Sequence, residues 1–172
     1  KDHPLFAQRL RQMARHHGNV SLLSVSGDDP LIKLHACRTV APQALPAALA
    51  AVVKAAAQIK NEAIPAGLEG IEPCAQSRAM AQDLISGKKA AIFLGNAAEQ
   101  SPHAAYLHGL ACELGRLTDA SVGFIGEAAN SVGGYVAGAQ PTALNAYEMF
   151  ARPRQAYLLL GIEPELDCHH PQ

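Results

Sequence analysis

The densest group of residues able to bind a ligand lies in residues 126–141, where four glycines follow a short apolar run at residues 121–125. Glu127, Asn130 and Ser131 supply polar side chains between these glycines. Glycine permits a positive φ angle and lets a ligand or another backbone approach closely. A glycine-rich loop at the end of a strand is where an α/β protein binds a ligand. The composition also fits a tight strand-to-helix connection packed against a neighbour, and composition alone favours this plainer interpretation.

Two more glycine-bearing loops follow apolar runs: one begins at Gly95 after residues 90–94, and the other at Gly161 after residues 156–160. Because the carboxyl ends of parallel strands meet at one edge of a sheet, we expect the three loops to line one crevice. The candidate ligand-binding residues of that crevice are Gly95, Asn96, Glu127, Asn130, Ser131, Gly133, Gly134, Gly161 and Glu163.

Acid–base chemistry has three candidates, Glu127, Glu163 and Asp167, which follow predicted strands. A carboxylate at such a place also caps a helix or binds a loop amide, and that role accounts for all three equally well. We therefore assign no catalytic residue. We expect positive φ or close backbone packing at Gly133 and Gly134, because two adjacent glycines follow polar residues.

Several familiar sites are excluded by the spacing of the residues that would form them. No GxGxxG follows a strand, and neither a GxxxxGK[ST] nor a GxSxG occurs. The cysteines form no CxxC, and the histidines include adjacent pairs, whose side chains diverge on a helix or strand. The sequence therefore predicts no nicotinamide or nucleoside triphosphate motif, no serine hydrolase and no metal site.

Composition places the chain among globular proteins. Its 172 residues are 49% hydrophobic and 17% charged, enough for one domain with a core. The net charge of −1 argues against a nucleic-acid partner, which needs a basic face. No apolar run reaches the roughly 18 residues of a membrane-spanning helix, so we expect no direct membrane insertion. The start at Lys1 shows no signal-peptide pattern, and we interpret the chain as an excised piece of a longer protein.

The hydrophobic pattern predicts a helix-rich half with one strand, residues 1–87, and regular β/α units in residues 88–172. Predicted helices cover residues 5–17, 42–59, 77–86, 101–117 and 142–150, with Ser77, Ser101 and Thr142 at the N-caps of the last three. The residues expected on the buried face of the fourth helix are Tyr106, Leu107, Leu110, Ala111, Leu114 and Leu117. Predicted strands cover residues 20–25, 90–94, 121–125 and 156–160. Continuous apolar strands that alternate with helices are typical of a parallel sheet covered on both faces, so we predict one Rossmann-like, doubly wound α/β domain, or part of one.

Four segments carry a family resemblance. They are Ile-Phe-Leu-Gly-Asn at residues 92–96, Ser-Pro-His-Ala-Ala at 101–105, Glu-Ala-Ala-Asn-Ser-Val-Gly-Gly-Tyr at 127–135 and Leu-Leu-Leu-Gly-Ile-Glu-Pro-Glu-Leu-Asp at 158–167. In this order they resemble the large iron–sulfur subunit of bacterial respiratory complex I, the NADH:quinone oxidoreductase. The resemblance is clearest across residues 88–167.

The resemblance implies a redox parent and a non-redox segment. In that family, iron–sulfur clusters occupy the N-terminal third, and the remainder resembles molybdopterin oxidoreductases but generally lacks molybdopterin. Because this chain has none of the cluster-binding cysteine motifs, no electron-carrying residue can be assigned to it. The resemblance thus implies a structural, non-catalytic domain without a cofactor of its own. Its partners would be other regions and subunits of complex I, at the cytoplasmic face of the bacterial inner membrane.

Two other interpretations remain from different functional classes. The chain could be a binding module that retains a vestigial molybdopterin crevice and accepts a nucleotide-like ligand. It could also belong to an active molybdenum enzyme, although it supplies only part of the fold that so large a cofactor needs. The carboxylates Glu127 and Glu163 would repel a pyrophosphate, so we expect the crevice not to bind a molybdopterin guanine dinucleotide.

Overall fold

The computed structural model describes residues 3–126 and 131–167. The chain divides into two units, Lys1–Ala129 and Asn130–Gln172, and the first contains both helices and parallel strands. The elements of the first unit are α1 (Pro4–Arg15), β1 (Ser21–Ser24), β2 (Ala36–Thr39), a 3-10 turn (Pro42–Ala44), α2 (Leu45–Lys60), α3 (Ala75–Ser86), β3 (Ala91–Leu94), α4 (Asn96–Glu99), α5 (Ala104–Thr118) and β4 (Ser121–Phe124). Those of the second are α6 (Ser131–Val136), α7 (Ala146–Ala151) and α8 (Pro164–Asp167). The chain is therefore α/β, as its sequence predicts.

Helix α2 forms the centre of the first unit. From Ala48 to Ala57 every residue is buried, because this stretch is apolar on all sides apart from Lys54. The Lys54 ammonium is itself buried and donates a hydrogen bond of 2.6 Å to the carbonyl oxygen of Glu69. This bond attaches the loop between α2 and α3 to the core, and it satisfies a charge that would otherwise be costly to bury.

Helices α3 and α5 pack against α2 and complete the core. The leucines that the sequence predicts for the buried face of α5 are indeed buried. Tyr106, predicted on the same face, is 50% exposed, so that part of the prediction is wrong. The buried residues of α5 are Leu107, Leu110, Ala111, Leu114, Gly115, Leu117 and Thr118.

The strands pair two by two, and both pairs are parallel. In β1–β2, Ser21 pairs with Ala36 and Ser24 with Thr39. In β3–β4, Ala91 pairs with Ser121 and Leu94 with Phe124. Strand β3, helix α5 and strand β4 thus form the predicted strand–helix–strand unit, in which the crossover lets consecutive strands run parallel.

The strands are less buried than their apolar runs suggest. In β3 only Leu94 is fully buried, while Phe93 is 48% exposed. The β3–β4 sheet packs one side against the helical core, where Ile92 contacts the buried cluster, and Phe93 lies on the opposite side. On the opposite side Phe93 contacts Phe6 of α1, with ring centroids 4.8 Å apart, so this face is partly covered and the described residues do not show burial on both faces. Within residues 3–126 the strands make two separate two-stranded sheets.

Three predicted helix starts are displaced by a few residues. Cys74 rather than Ser77 is the N-cap of α3, and His103 rather than Ser101 is the N-cap of α5. Asn145 rather than Thr142 caps α7, where its side chain accepts a bond from the backbone N–H of Glu148. Ser101 still contributes, since its hydroxyl oxygen accepts a bond from the backbone of His103. Strand β2 is not predicted by the sequence at all, because its residues contain no apolar run.

The second unit consists of short helices joined by irregular segments. Residues 156–160, predicted as a strand, form none. Leu158 and Leu160 are almost fully exposed there, although their run of apolar residues is typical of a buried strand. An apolar run becomes a strand only where another strand offers hydrogen-bonding partners, and none pairs with this segment in the described part of the chain.

Candidate functional site

Gly95 and Asn96 lie where the sequence places them, at the carboxyl end of β3. Gly95 is the N-cap of α4, and its carbonyl oxygen accepts hydrogen bonds from the backbone N–H groups of Ala98 and Glu99, at 2.9 and 3.1 Å. The neighbouring strand ends beside it, since the N–H of Ile125 donates to the carbonyl oxygen of Leu94 at 2.8 Å. The loops after β3 and β4 therefore begin at the same edge of their sheet, as predicted.

The other residues predicted to line the crevice lie in different parts of the chain. Glu127 and Asn130 lie outside the described residues. Ser131, Gly133 and Gly134 belong to helix α6 of the second unit. A helix has negative φ angles, so the first of the two alternatives for Gly133 and Gly134, positive φ, does not occur. The second, close backbone packing, is not seen at Gly134, where the nearest atom to an added Cβ would be the Cβ of Ala139 at 4.0 Å. Positive φ occurs instead at Gly67, Gly138 and Gly161 among the described glycines.

Gly161 and Glu163 lead into helix α8. The carbonyl oxygen of Glu163 accepts bonds from the N–H groups of Leu166 and Asp167, and its own N–H donates to the Asp167 carboxylate at 2.8 Å. The Asp167 carboxylate therefore binds a loop amide, which is the plainer of the two roles considered for it. Gly161 has a φ of 64°, a conformation that favours glycine.

A cavity of about 290 Å³ opens at the carboxyl edge of β3 and β4, entirely within the first unit. Glu99, from the end of α4, is one of the residues that line it. His108, from the second turn of α5, packs its ring against Phe124 of β4, with ring centroids 5.0 Å apart. The lining residues are Leu94, Ala98, Glu99, Ala104, Ala105, His108 and Phe124.

No sequence pattern singles out Glu99 or His108. Their meeting depends on the crossover that brings the second turn of α5 back over the end of β3. The one local signal is position, since Glu99 follows closely after the loop at Gly95, where parallel sheets bind ligands. The cavity is thus adjacent to two of the predicted residues, Gly95 and Asn96, but is formed by different side chains.

A second polar cluster is centred on Asp83 of α3. Its carboxylate accepts hydrogen bonds from Asn19, Ser21 and His35, at 2.7, 2.8 and 2.8 Å. The Asp83 side chain is only 11% exposed, so these bonds offset the cost of its burial. An aspartate–histidine pair serves catalysis when the histidine also contacts a nucleophile, but His35 bonds no serine or cysteine hydroxyl or thiol among the residues described. The cluster therefore connects α3 to the start of both β1 and β2.

A third cluster surrounds Cys74 at the start of α3. Ser77, which is fully buried, accepts a hydrogen bond of 3.1 Å from the Arg38 guanidinium and lies 3.3 Å from the Cys74 sulfur. Partial burial raises the pKa of the Cys74 thiol, but hydrogen bonds from the side chain and backbone of Ser77 and the charge of Arg38 outweigh burial. The pKa of Cys74 therefore lies below its ordinary value.

Alkylation of Cys74 tests this arrangement. Because the thiolate is the reactive form, a lowered pKa places the midpoint of the rate–pH curve at lower pH. We expect Ser77→Ala to move the midpoint of Cys74 alkylation by iodoacetamide upward, since the variant loses a donor to the sulfur. Peptide mass spectrometry follows Cys74 and the exposed Cys112 in the same sample, and Cys112 serves as the internal reference. Ser86→Ala, an exposed serine on the same helix, should change neither curve, and an unmoved Cys74 midpoint in Ser77→Ala would contradict the assigned role.

The described residues bring no three histidine, cysteine, aspartate or glutamate side chains together in a way that could hold an ion. In the part of the chain that the structure describes, no helix combines the length and the apolar character needed to cross a membrane.

Comparison with known proteins leaves the chain without an assigned relative: no protein-family model, curated protein or solved structure matches it.

Proposed function

We propose that this chain is a non-catalytic structural domain from the large iron–sulfur subunit of a bacterial NADH:quinone oxidoreductase. The observation that carries the proposal is the order of four segments within residues 92–167, above all Glu-Ala-Ala-Asn-Ser-Val-Gly-Gly-Tyr at residues 127–135. In this proposal the domain packs beside the cluster-bearing regions of its subunit and transfers no electrons itself. It would lie at the cytoplasmic face of the bacterial inner membrane.

The first unit has features that support such a scaffold. Its core is centred on helix α2, which is buried along most of its length between α3 and α5. Side-chain bonds such as that from Lys54 to the carbonyl of Glu69 fix the long loop after α2. A rigid core with its loops attached holds neighbouring regions in place without needing a reactive group of its own.

We further assign the two parallel strand pairs to a Rossmann-like, doubly wound sheet of the parent protein. Supporting this are the parallel register of both pairs and the strand–helix–strand crossover through α5. Phe93 and Phe124 are 48% and 50% exposed on the strands of the second pair. Phe93 already contacts Phe6 of α1 and Phe124 contacts His108 of α5, and in a doubly wound sheet further helices of the parent would cover what remains exposed of both rings.

Co-purification from membranes tests the assignment to complex I. An affinity tag would be added to the chromosomal copy of the protein, and membranes would be solubilised in mild detergent. We expect the tag to retain NADH dehydrogenase activity together with flavin- and iron–sulfur-containing subunits, identified by mass spectrometry. The untagged strain is the control, and recovery of the tagged protein without any of these subunits would refute the proposal.

Iron content tests the non-redox role separately. We expect the 172-residue chain, expressed alone, to be colourless and to contain no stoichiometric iron, because its sequence has no cluster-binding cysteine motif. The co-purified assembly above should contain iron and absorb in the visible range. Iron–sulfur absorption from the chain alone would overturn the structural role while leaving membership of the complex intact.

A further inference from the structure

Residues 156–160 of the second unit, Ala-Tyr-Leu-Leu-Leu, form an exposed apolar stretch that we call the leucine segment. Tyr157 and Leu159 are 44% and 48% exposed. Leu158 and Leu160, which alternate with them, are 96% and 90% exposed. Alternation with a period of two is typical of extended backbone, whose successive side chains point to opposite sides. Leu158 and Leu160 therefore lie together on one outward face.

The side chain of Tyr157 holds the start of the leucine segment in place. Its hydroxyl donates a hydrogen bond of 3.0 Å to the carbonyl oxygen of Met149 and accepts one of 2.8 Å from the backbone N–H of Arg154. Its ring stacks on Phe150 of α7, with ring centroids 6.1 Å apart. Because these contacts order the segment before any partner binds, less conformational entropy is lost on association.

The backbone of the leucine segment is free to pair with another strand. Among the described residues, none of its N–H or carbonyl groups takes part in a hydrogen bond. Unpaired backbone groups beside apolar side chains form an edge to which a further strand adds. Pairing is limited to this segment, because Gly161 leaves the extended conformation with a φ of 64° and Pro153 has no N–H to donate.

Opposite charges flank the leucine segment. Arg152 and Arg154 precede it, and Glu163 and Glu165 follow it. All four side chains are exposed, and in the part of the chain that the structure describes none of them forms an ion pair. When two copies pair antiparallel, the arginines of one copy lie beside the glutamates of the other. Parallel pairing would instead place like charges together, which is destabilising.

We propose that the leucine segment is a homodimer interface, in which the segments of two copies pair antiparallel about Leu158. In this register Leu158 of one copy lies opposite Leu158 of the other, and each Leu160 is diagonal to it on the same face. The outward leucines of both copies are thereby removed from water. The pairing has two-fold symmetry and closes at two copies. Only residues of the second unit form this interface, so it does not depend on membership of complex I.

Sedimentation equilibrium of the full 172-residue chain tests the proposal. Because so short a pairing buries less surface than a standard interface, we expect a reversible monomer–dimer equilibrium with a dissociation constant on the order of 100 μM. Over concentrations from about 5 to about 500 μM, the average mass should rise from that of one copy towards that of two. A chain that stays monomeric over this range would overturn the proposal, and so would open-ended assemblies that grow beyond two copies.

A lysine in the leucine segment tests where the copies meet. Leu158→Lys places like charges opposite each other at the two-fold axis, and it should weaken dimerisation at least about tenfold. Leu5→Lys is the matched control, because Leu5 is a 76% exposed leucine of the first unit, and it should dimerise as the wild type does. Circular dichroism checks that both variants keep their helices. Equal association of the two variants would show that the copies do not meet at the leucine segment.

Charge reversal tests the direction of the pairing. The variant R152E/R154E places glutamates of both copies side by side, and at low salt it should weaken dimerisation about tenfold. Adding E163K and E165K to that variant restores opposite charges, and it should recover the wild-type affinity. In a parallel pair like charges would meet in all of these proteins, so R152E/R154E would dimerise as the wild type does. That result would contradict the antiparallel pairing.

Discussion

Replacing Leu107 with alanine is expected to lower the free energy of unfolding by about 2–5 kcal/mol. Leu107 is 1% exposed and lies on α5 within the cluster that α2 and α3 complete. Truncation loses the transfer free energy of the removed atoms and leaves a cavity. Helix α2, which packs against α5, is rich in buried alanines, whose side chains are too short to fill that cavity. A domain of ordinary stability, about 5–15 kcal/mol, would lose a large share of it.

The measurement is urea unfolding followed by far-ultraviolet circular dichroism, because the helices of the first unit dominate that signal. Leu5→Ala is the matched control, since Leu5 on α1 is 76% exposed and its truncation should change the free energy by no more than about 0.5 kcal/mol. If the two variants unfolded at the same urea concentration, the described core would be wrong in its placement of α5.

Two glycines of α5 should respond to alanine with opposite signs. An alanine at Gly115 would place its Cβ 2.7 Å from a methyl carbon of Val122 and 2.9 Å from the carbonyl oxygen of Ala120. We expect Gly115→Ala to destabilise the chain by about 1–3 kcal/mol, although alanine is the better helix former. Gly109 has no atom within 4 Å of the corresponding position, so Gly109→Ala should stabilise the chain by up to about 1 kcal/mol.

The Cβ of an alanine at residue 115 would clash because the chain turns tightly between the end of α5 and the start of β4. Asp119 adopts the left-handed conformation, and the N–H of Ala120 donates to the carbonyl oxygen of Gly115 at 3.1 Å. Val122 cannot move away easily, because it is held opposite Ile92 in the parallel ladder. The same unfolding experiment compares both variants, and stabilisation by Gly115→Ala would show that this return is looser than described.

Local pattern is enough to predict the main elements of the first unit. Helix α2 follows from a long alanine- and leucine-rich stretch, and α5 from leucines repeated at helical spacing. Strands β3 and β4 follow from apolar runs bounded by turn residues, and their parallel pairing from the helix between them. These predictions succeed because each depends on residues that are neighbours in the chain.

The sequence predicts where the candidate site lies but not which side chains form it. The loop at Gly95 lies at the carboxyl edge of β3, as expected from the strand pattern. Its chemistry comes from Glu99, His108 and Phe124, which meet because α5 folds back against the sheet. The partners of Asp83 are separated from it by 48 to 64 residues, so no local pattern reports them.

Periodicity and turn residues act over a few positions, so they are enough to predict that the chain is α/β, where most of its helices lie and that the strands on either side of α5 run parallel. Which faces are buried, where α3 begins and which carboxylates are paired depend on contacts between segments distant in the chain. Ser77 lies inside α3 rather than at its N-cap, and its buried hydroxyl accepts a hydrogen bond from Arg38 of β2, 39 residues earlier in the chain. The run at residues 156–160 forms no strand because no partner strand pairs with it in the described chain. Burial and hydrogen bonding depend on distant partners, and those partners are set by the fold.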